Sequence, residues 1–220
     1  MGGPGADRSV EDAADTAVWL AMLPARGAGF SVTGKRSNGK IRVGLSVREV
    51  TYRNIKEEQM KPNIGLSDRQ REGVVQILNT LLADEYVLYT KARNYHWNVV
   101  GPQFNDLHKF FEAQYEALNE VIDEVAERAR SLGGWSVATL AEFLKRSRLK
   151  EHPGEYPSAR DMISNLLGDQ EAVIGSLRID LETCTEKHRD AGTTDFLTGL
   201  MEKHEKMGWM LRSYLEGKPV

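Results

Sequence analysis

Cysteine is almost absent from this chain: Cys184 is the only one in 220 residues. No intrachain disulfide can form, and such poverty in cysteine suits a reducing cytoplasm. Long apolar runs are missing as well. The longest early one, Ala17 to Leu23, is too short to span a bilayer, and it follows Asp7, Glu11, Asp12 and Asp15 where a secretory signal needs positive charge. Neither a targeting segment nor a membrane partner is expected. The motif Glu-x-x-His does not occur. Its absence sets aside a di-iron site buried inside a single bundle, which needs that motif on two helices. There is no excess of one charge either: 29 basic residues stand against 32 acidic, a net charge of −3. The whole chain therefore advertises no affinity for nucleic acid.

The distribution of charge is less even than its total. Between Arg26 and Lys56 lie eight basic residues (Arg26, Lys35, Arg36, Lys40, Arg42, Arg48, Arg53 and Lys56) against Glu49 alone. From Met60 onward there are 20 basic and 25 acidic residues, a net charge of −5. Residues 1–62 have scattered glycines, no sustained period and no convincing helix caps, so they are expected to form a disordered N-terminal extension, and residues 63–220 a helical bundle. Met60 is itself a candidate translation start. Lys56-Glu57-Glu58 can be encoded by a purine-rich, AAGGAGGA-like stretch at a suitable distance ahead of it, and the bundle's periodicity begins just after it. A true basic arm is the rival reading. The two differ in function, because a start at Met60 deletes the basic run.

Order is expected from Ser67, which makes a capping-box pattern with Gln70. Val74, Leu78, Leu81, Leu82, Tyr86 and Leu88 then mark a helix to about Asn98. Gly101-Pro102 turns the chain into a second helix over residues 103–132, where Leu107, Phe111, Gln114, Leu118, Val121, Val125, Ala129 and Leu132 repeat at three and four, and Gly133-Gly134 stops it. A short helix over Thr139–Ser147 falls in the crossover. Pro153, Gly154 and Pro157 break the chain, Ser158 caps a third long helix to about His188, and the run Gly192 to Asp195 starts a fourth that ends near Gly217. The class is all-α, a ferritin-like four-helix bundle with one long middle connection.

Chemistry concentrates on the second long helix. His96 is followed twelve residues on by His108, and Glu112, Asp123 and Glu127 lie four, fifteen and nineteen residues beyond that. At about 100° per residue the last four share a stripe rotated roughly 130° from the apolar one. They look away from the chain's own core. His108 and Asp123 are separated by roughly 22 Å along the axis, so one helix cannot bring both pairs to one ion. An identical helix packed antiparallel across a two-fold axis can, and symmetry then creates two sites at one interface. Paired carboxylates on a helix are most often a solvated face; the combination with two histidines is what points to metal. Imidazole and carboxylate without thiolate suit iron, manganese or zinc, and iron if the site does redox work.

The run Tyr95-His96-Trp97-Asn98-Val99-Val100-Gly101, with Phe104, Leu107-His108, Glu112, Asp123 and Ala126-Glu127-Arg128, resembles the signature of the Dps family, the DNA-protection-during-starvation miniferritins. The resemblance covers roughly residues 64–217. It implies a cytoplasmic, hollow homo-dodecamer, in places nucleoid-associated, whose intersubunit di-iron centres oxidise Fe(II) to Fe(III), preferably with hydrogen peroxide, and store the ferric mineral inside. By motif match His96, His108 and Glu112 come from one subunit and Asp123 and Glu127 from its mate. Many members carry Asp where this chain has Glu112, which leaves the second iron position in question. The resemblance also places Asp190 and Asp195 near three-fold iron-entry pores, although both also suit helix capping, and it makes Trp97 an interceptor of oxidising equivalents as well as an interface residue. His204, on an apolar stripe, reads as a packed core histidine. His188 in a last helical turn needs only the helix dipole, and His152 in a loop is uninformative. Two functions follow: a peroxide-consuming ferroxidase and iron store, or a nucleoid-condensing protein that binds DNA through the basic arm.

Overall fold

The computed structural model describes residues 61–216, together with the backbones of two short strands, β1 (Arg36–Ser37) and β2 (Lys40–Ile41). The strands pair antiparallel, with Arg36 opposite Ile41 and Ser37 opposite Lys40. They belong to a separate unit, Met1–Lys56, while Glu57–Val220 forms the second. The four strand residues depart from the disorder expected of residues 1–62, and Lys61 and Pro62 are described as well; the rest of that stretch, with most of the basic run, lies outside the described residues.

Helix α1 (Asp68–Asn98) opens with the capping box foreseen for Ser67 and Gln70. Both side chains satisfy backbone groups that a helix start leaves unpaired. Helix α2 (Phe104–Ser131) follows a turn in which Gly101 takes φ +119°, a conformation that a Cβ would strain. Its far end closes on Gly133 at φ +81°, whose N–H donates to Arg130, while Gly134 donates to Ala129. A Cβ on Gly133 would come within 2.6 Å of Pro62. Arg71 also reaches across from α1 to Leu132 O at 2.9 Å. The stop is thus built from both helices.

Helix α3 (Leu140–Arg146) lies in the crossover and has its own capping box, Thr139 with Glu142. Its one buried residue, Phe143, stacks on Tyr86 of α1 with ring centroids 4.1 Å apart. Arg148 then ties the crossover to two helices, bonding Asp84 at 2.7 Å and Asp180 at 3.1 Å. Helix α4 (Ala159–Thr183) runs into a π-helical turn, Cys184–His188, and the chain reverses at Arg189 in the left-handed region, φ 53°. Helix α5 (Ala191–Leu215) completes the bundle, capped by Asp190. The π turn is a difference from the uninterrupted helix expected to His188. It buries the His188 ring against α1 at Gly73, where any Cβ would collide with the imidazole at 2.0 Å.

The four long helices enclose a core whose largest fully buried members include Phe111, Leu78, Leu81, Leu118, Leu177 and Leu197. Each such side chain contributes about 1.5–3 kcal/mol on burial. The α2 stripe inferred from periodicity, Leu107 through Ala129, is the face that packs inward. Among the described residues no helix is long and apolar enough to cross a membrane.

Candidate metal centre

The end of α1 and the start of α2 bring His96 and His108 face to face. Their rings stack with centroids 3.8 Å apart and planes inclined by 19°. Each ring is bound to the other residue's backbone: His96 Nδ1 lies 2.7 Å from His108 O, and His108 Nδ1 lies 2.8 Å from His96 O. A carbonyl oxygen only accepts, so both Nδ1 atoms carry the proton. In the neutral rings both Nε2 atoms are then lone-pair donors. This is the arrangement of metal-binding histidines, whose second nitrogen is fixed by a carbonyl or carboxylate.

The surroundings hold the pair rigidly. Phe104 stacks on His108 at 5.1 Å and Tyr115 meets His96 edge-on at 5.3 Å. His96 is buried, 7% exposed, while His108 and Glu112 are half-buried. Glu112 sits one turn along α2 from His108 and accepts a long hydrogen bond from Tyr115 Oη, 3.4 Å. Burial, then Glu112 and Glu116, push the Tyr115 phenol above its ordinary range. Arg93 lies over the rings of Tyr115, Trp97 and Tyr89 at 4.9, 5.1 and 5.6 Å. Neither Tyr115 nor Arg93 was singled out from the sequence. Tyr115 lies three residues after Glu112 on the same helix, and that spacing is the signal that could have found it.

Asp123 and Glu127 project from the second half of α2 and are exposed. Among the described residues no three of His, Cys, Asp and Glu converge within one protomer. Within one protomer two imidazoles and Glu112 thus stand near one end of α2 and two carboxylates near the other. Trp97, next to His96, is 64% exposed.

The remaining candidates divide. Asp190 is 5% exposed and its carboxylate is fully engaged, accepting from Thr193 N at 3.0 Å and Thr193 Oγ1 at 2.6 Å and pairing with Arg128 at 3.3 Å. It serves as the start of α5. Asp195 is exposed one turn later. His204 is a fully buried, hydrogen-bonded core residue. His188 is buried too, and burial, then Lys187 and Arg69, hold its imidazole below the usual range, so the partial positive charge expected from its helix-end position is not favoured. His152 is exposed in the crossover. Of the basic residues, only the backbones of Arg36 and Lys40 are described; Arg26, Lys35, Arg42, Arg48, Arg53 and Lys56 lie outside the described residues.

A four-helix bundle with one long crossover and carboxylates and histidines on its helices defines the ferritin-like class, and the ferritin-like domain family matches residues 75–218. Relatives narrow this further. An uncharacterized low temperature-induced protein of Nostoc is 51% identical over 158 residues, 72% of this chain and 88% of that protein. DNA protection during starvation protein 2 of Bacillus anthracis is 40% identical over 143 residues, 64% of this chain and 96% of that protein. The crystal structure of the Dps protein from Vibrio cholerae O1, described as a member of a broad superfamily of ferritin-like diiron-carboxylate proteins, superposes with a TM-score of 0.67 at 32% identity, covering 71% of this chain and 97% of that one. The chain belongs to the Dps family.

Proposed function

We infer that this protein is a miniferritin that oxidises Fe(II), preferably with hydrogen peroxide, at sites shared between subunits of a hollow dodecamer, and stores the ferric product inside. The reading rests on one observation above the others: His96 and His108 lock each other through Nδ1, which leaves Nε2 of each ring as its available donor atom, while the carboxylates that would complete a site stand farther along α2, out of reach. A second copy, antiparallel across a two-fold axis, supplies Asp123 and Glu127 opposite His96, His108 and Glu112.

Iron is the substrate here. Imidazole and carboxylate donors accept it readily and leave room for exchange. Two Fe(II) held side by side give one electron each to one peroxide; its O–O bond breaks, two protons are taken up, and two waters and two Fe(III) result. Delivery of both electrons together avoids the single-electron step that releases hydroxyl radical. The chain's own part is to hold the ions, to fix the histidine tautomers, and to keep carboxylates near the incoming cations. Exposed Asp195 is a candidate for steering iron inward, while Asp190 is committed to its cap.

Stopped-flow oxidation under anaerobic conditions tests this. Two Fe(II) should be consumed per peroxide with no radical trapped. Consumption of one Fe(II) per peroxide, with spin-trapped hydroxyl radical, would contradict the paired site. The basic run from Arg26 to Lys56 supports a second role in DNA binding, dependent on that arm being present.

A further inference from the structure

His188 ends the π-helical turn at the corner where α4 hands the chain to α5, and its side chain leaves that corner to lie on α1. A Cβ built on Gly73 would meet His188 Cε1 at 2.0 Å and the ring nitrogens Nε2 and Nδ1 at 2.7 and 2.8 Å. The imidazole thus seats edge-first in a notch that only a glycine leaves open. His188 is 5% exposed. Gln70, three residues before Gly73, donates from Nε2 to His188 O at 2.9 Å, so ring and carbonyl together fasten the corner to α1. Behind them the turn closes on one atom: the backbone N–H groups of Arg189 and Asp190 both donate to Cys184 O. The Cys184 side chain is fully buried beneath it.

The seat suits an uncharged ring. Burial first, then Lys187 of the same turn and Arg69 of α1, hold the imidazole below its ordinary 6.5, and Asp190 alone acts the other way. Asp190 is already engaged, by Thr193 of α5 and by Arg128 of α2. Among the described residues no side chain hydrogen-bonds the ring. A proton taken up in the notch therefore meets no free counter-charge, and it places an imidazolium between two cations while stripping it of water. Rotation about the side-chain bonds carries the ring into solvent instead, where it holds the proton with ordinary affinity.

We propose that His188 is a proton-operated latch: seated over Gly73 at neutral pH it closes the α4–α5 corner onto α1, and in acid it leaves the notch and lets the turn Cys184–Asp190 open. The sign follows from linkage. Because the seated ring disfavours the proton, closure is complete above 6.5 and weakens as pH falls below it. Between about pH 7.5 and 5.5 the opening constant rises by up to about tenfold, the limit set by protonation of a free imidazole. Thr185 and Arg189 of this turn line a cleft of about 330 Å³ together with Thr194 and Asp195, so opening reshapes the wall of that cleft. Gly73 lies near the start of α1 and His96 near its end. The latch therefore stands or falls apart from the metal centre.

Cys184 is the reporter for the test. The full-length protein is treated with a dipyridyl disulfide, a thiol reagent that works in acid, and its labelling rate is divided by that of the unfolded chain at the same pH. In the parent this ratio should rise toward tenfold between about pH 7.5 and 5.5. His188→Gln has no titrating ring and should lose the rise. Gly73→Ala fills the notch while favouring the helix that carries it, so Cys184 should label already at neutral pH, at a ratio that acid no longer changes. A parent ratio that stays flat, or an equal rise in His188→Gln, overturns the proposal. Should His188→Gln not fold, Gly73→Ala decides, and labelling like the parent's at both pH values overturns the latch.

Discussion

His96 and His108 bind each other by exchange: the Nδ1 of each donates to the other's backbone carbonyl, at 2.7 and 2.8 Å. Neither ring can turn without breaking its own bond and losing the stacking against its neighbour at 3.8 Å. The latch joins the last turn of α1 to the first turns of α2, so the fold itself orients both rings. Preorganisation of this kind keeps the ordering cost of the side chains out of metal binding.

Loss of a ligand should separate the subunits' contributions. His108→Ala and Asp123→Ala are each expected to slow peroxide-driven Fe(II) oxidation by at least about tenfold, the scale on which metal sites respond even to loss of an outer partner. Subunits of the two variants, dissociated and reassembled together, should regain part of the rate. In a mixed pair one site lacks both residues and the other has every ligand. Mixed oligomers, verified by mass spectrometry, that show no recovery would count against a shared site.

Asp190 and Asp195 should behave differently although five residues apart. Asp190→Ala removes the α5 cap and the partner of Arg128, and should cost about 1–2 kcal/mol of stability for the cap alone, read as a lower urea midpoint. Asp195→Ala should leave that midpoint unchanged and slow iron uptake at low ionic strength, where steering by surface charge is strongest. Equal midpoints for Asp190→Ala and the parent would remove the capping role.

Cys184 should be inert in the folded protein. Burial, then Asp190 and Asp180, push its thiol from the ordinary 9.0 up to about 12. The unfolded chain releases this proton near the ordinary value while the folded chain holds it. Stability from this group is therefore complete below 9.0 and is lost as pH rises toward 12. The difference in stability between Cys184→Ala and the parent should shrink or reverse across that window, and a thiol reagent at pH 8 should label Cys184 only in denaturant. Rapid labelling of the native protein would contradict the burial.

The basic arm can be tested by its salt response. The full chain should retard DNA in a gel and residues 60–220 should not. With eight cations in the run from Arg26 to Lys56, the slope of log affinity against log salt can be no steeper than about −7 per chain. Retardation by both forms alike would move DNA binding to the bundle.

The sequence by itself determined the helices, because each depends on local chemistry. Ser67 with Gln70 and Ser158 cap the starts they were expected to cap, the short crossover helix forms where it was expected, and the three-and-four repeat of α2 is its buried face. Spacing along one axis also showed that His108 and Asp123 cannot serve one ion within one helix. Only the tertiary structure decided what depends on contacts between helices far apart in sequence. The mutual latch of His96 and His108 requires α1 and α2 to lie side by side. The π turn at Cys184–His188 ends in a ring that lies over Gly73 of α1. Asp190 is a buried partner of Arg128 because α2 passes beside the start of α5. Glu85, one charged residue in a leucine stripe, could have been noticed in the sequence. That it faces His204 could not, since 119 residues separate them and only the packing of α5 against α1 closes the gap to 2.9 Å.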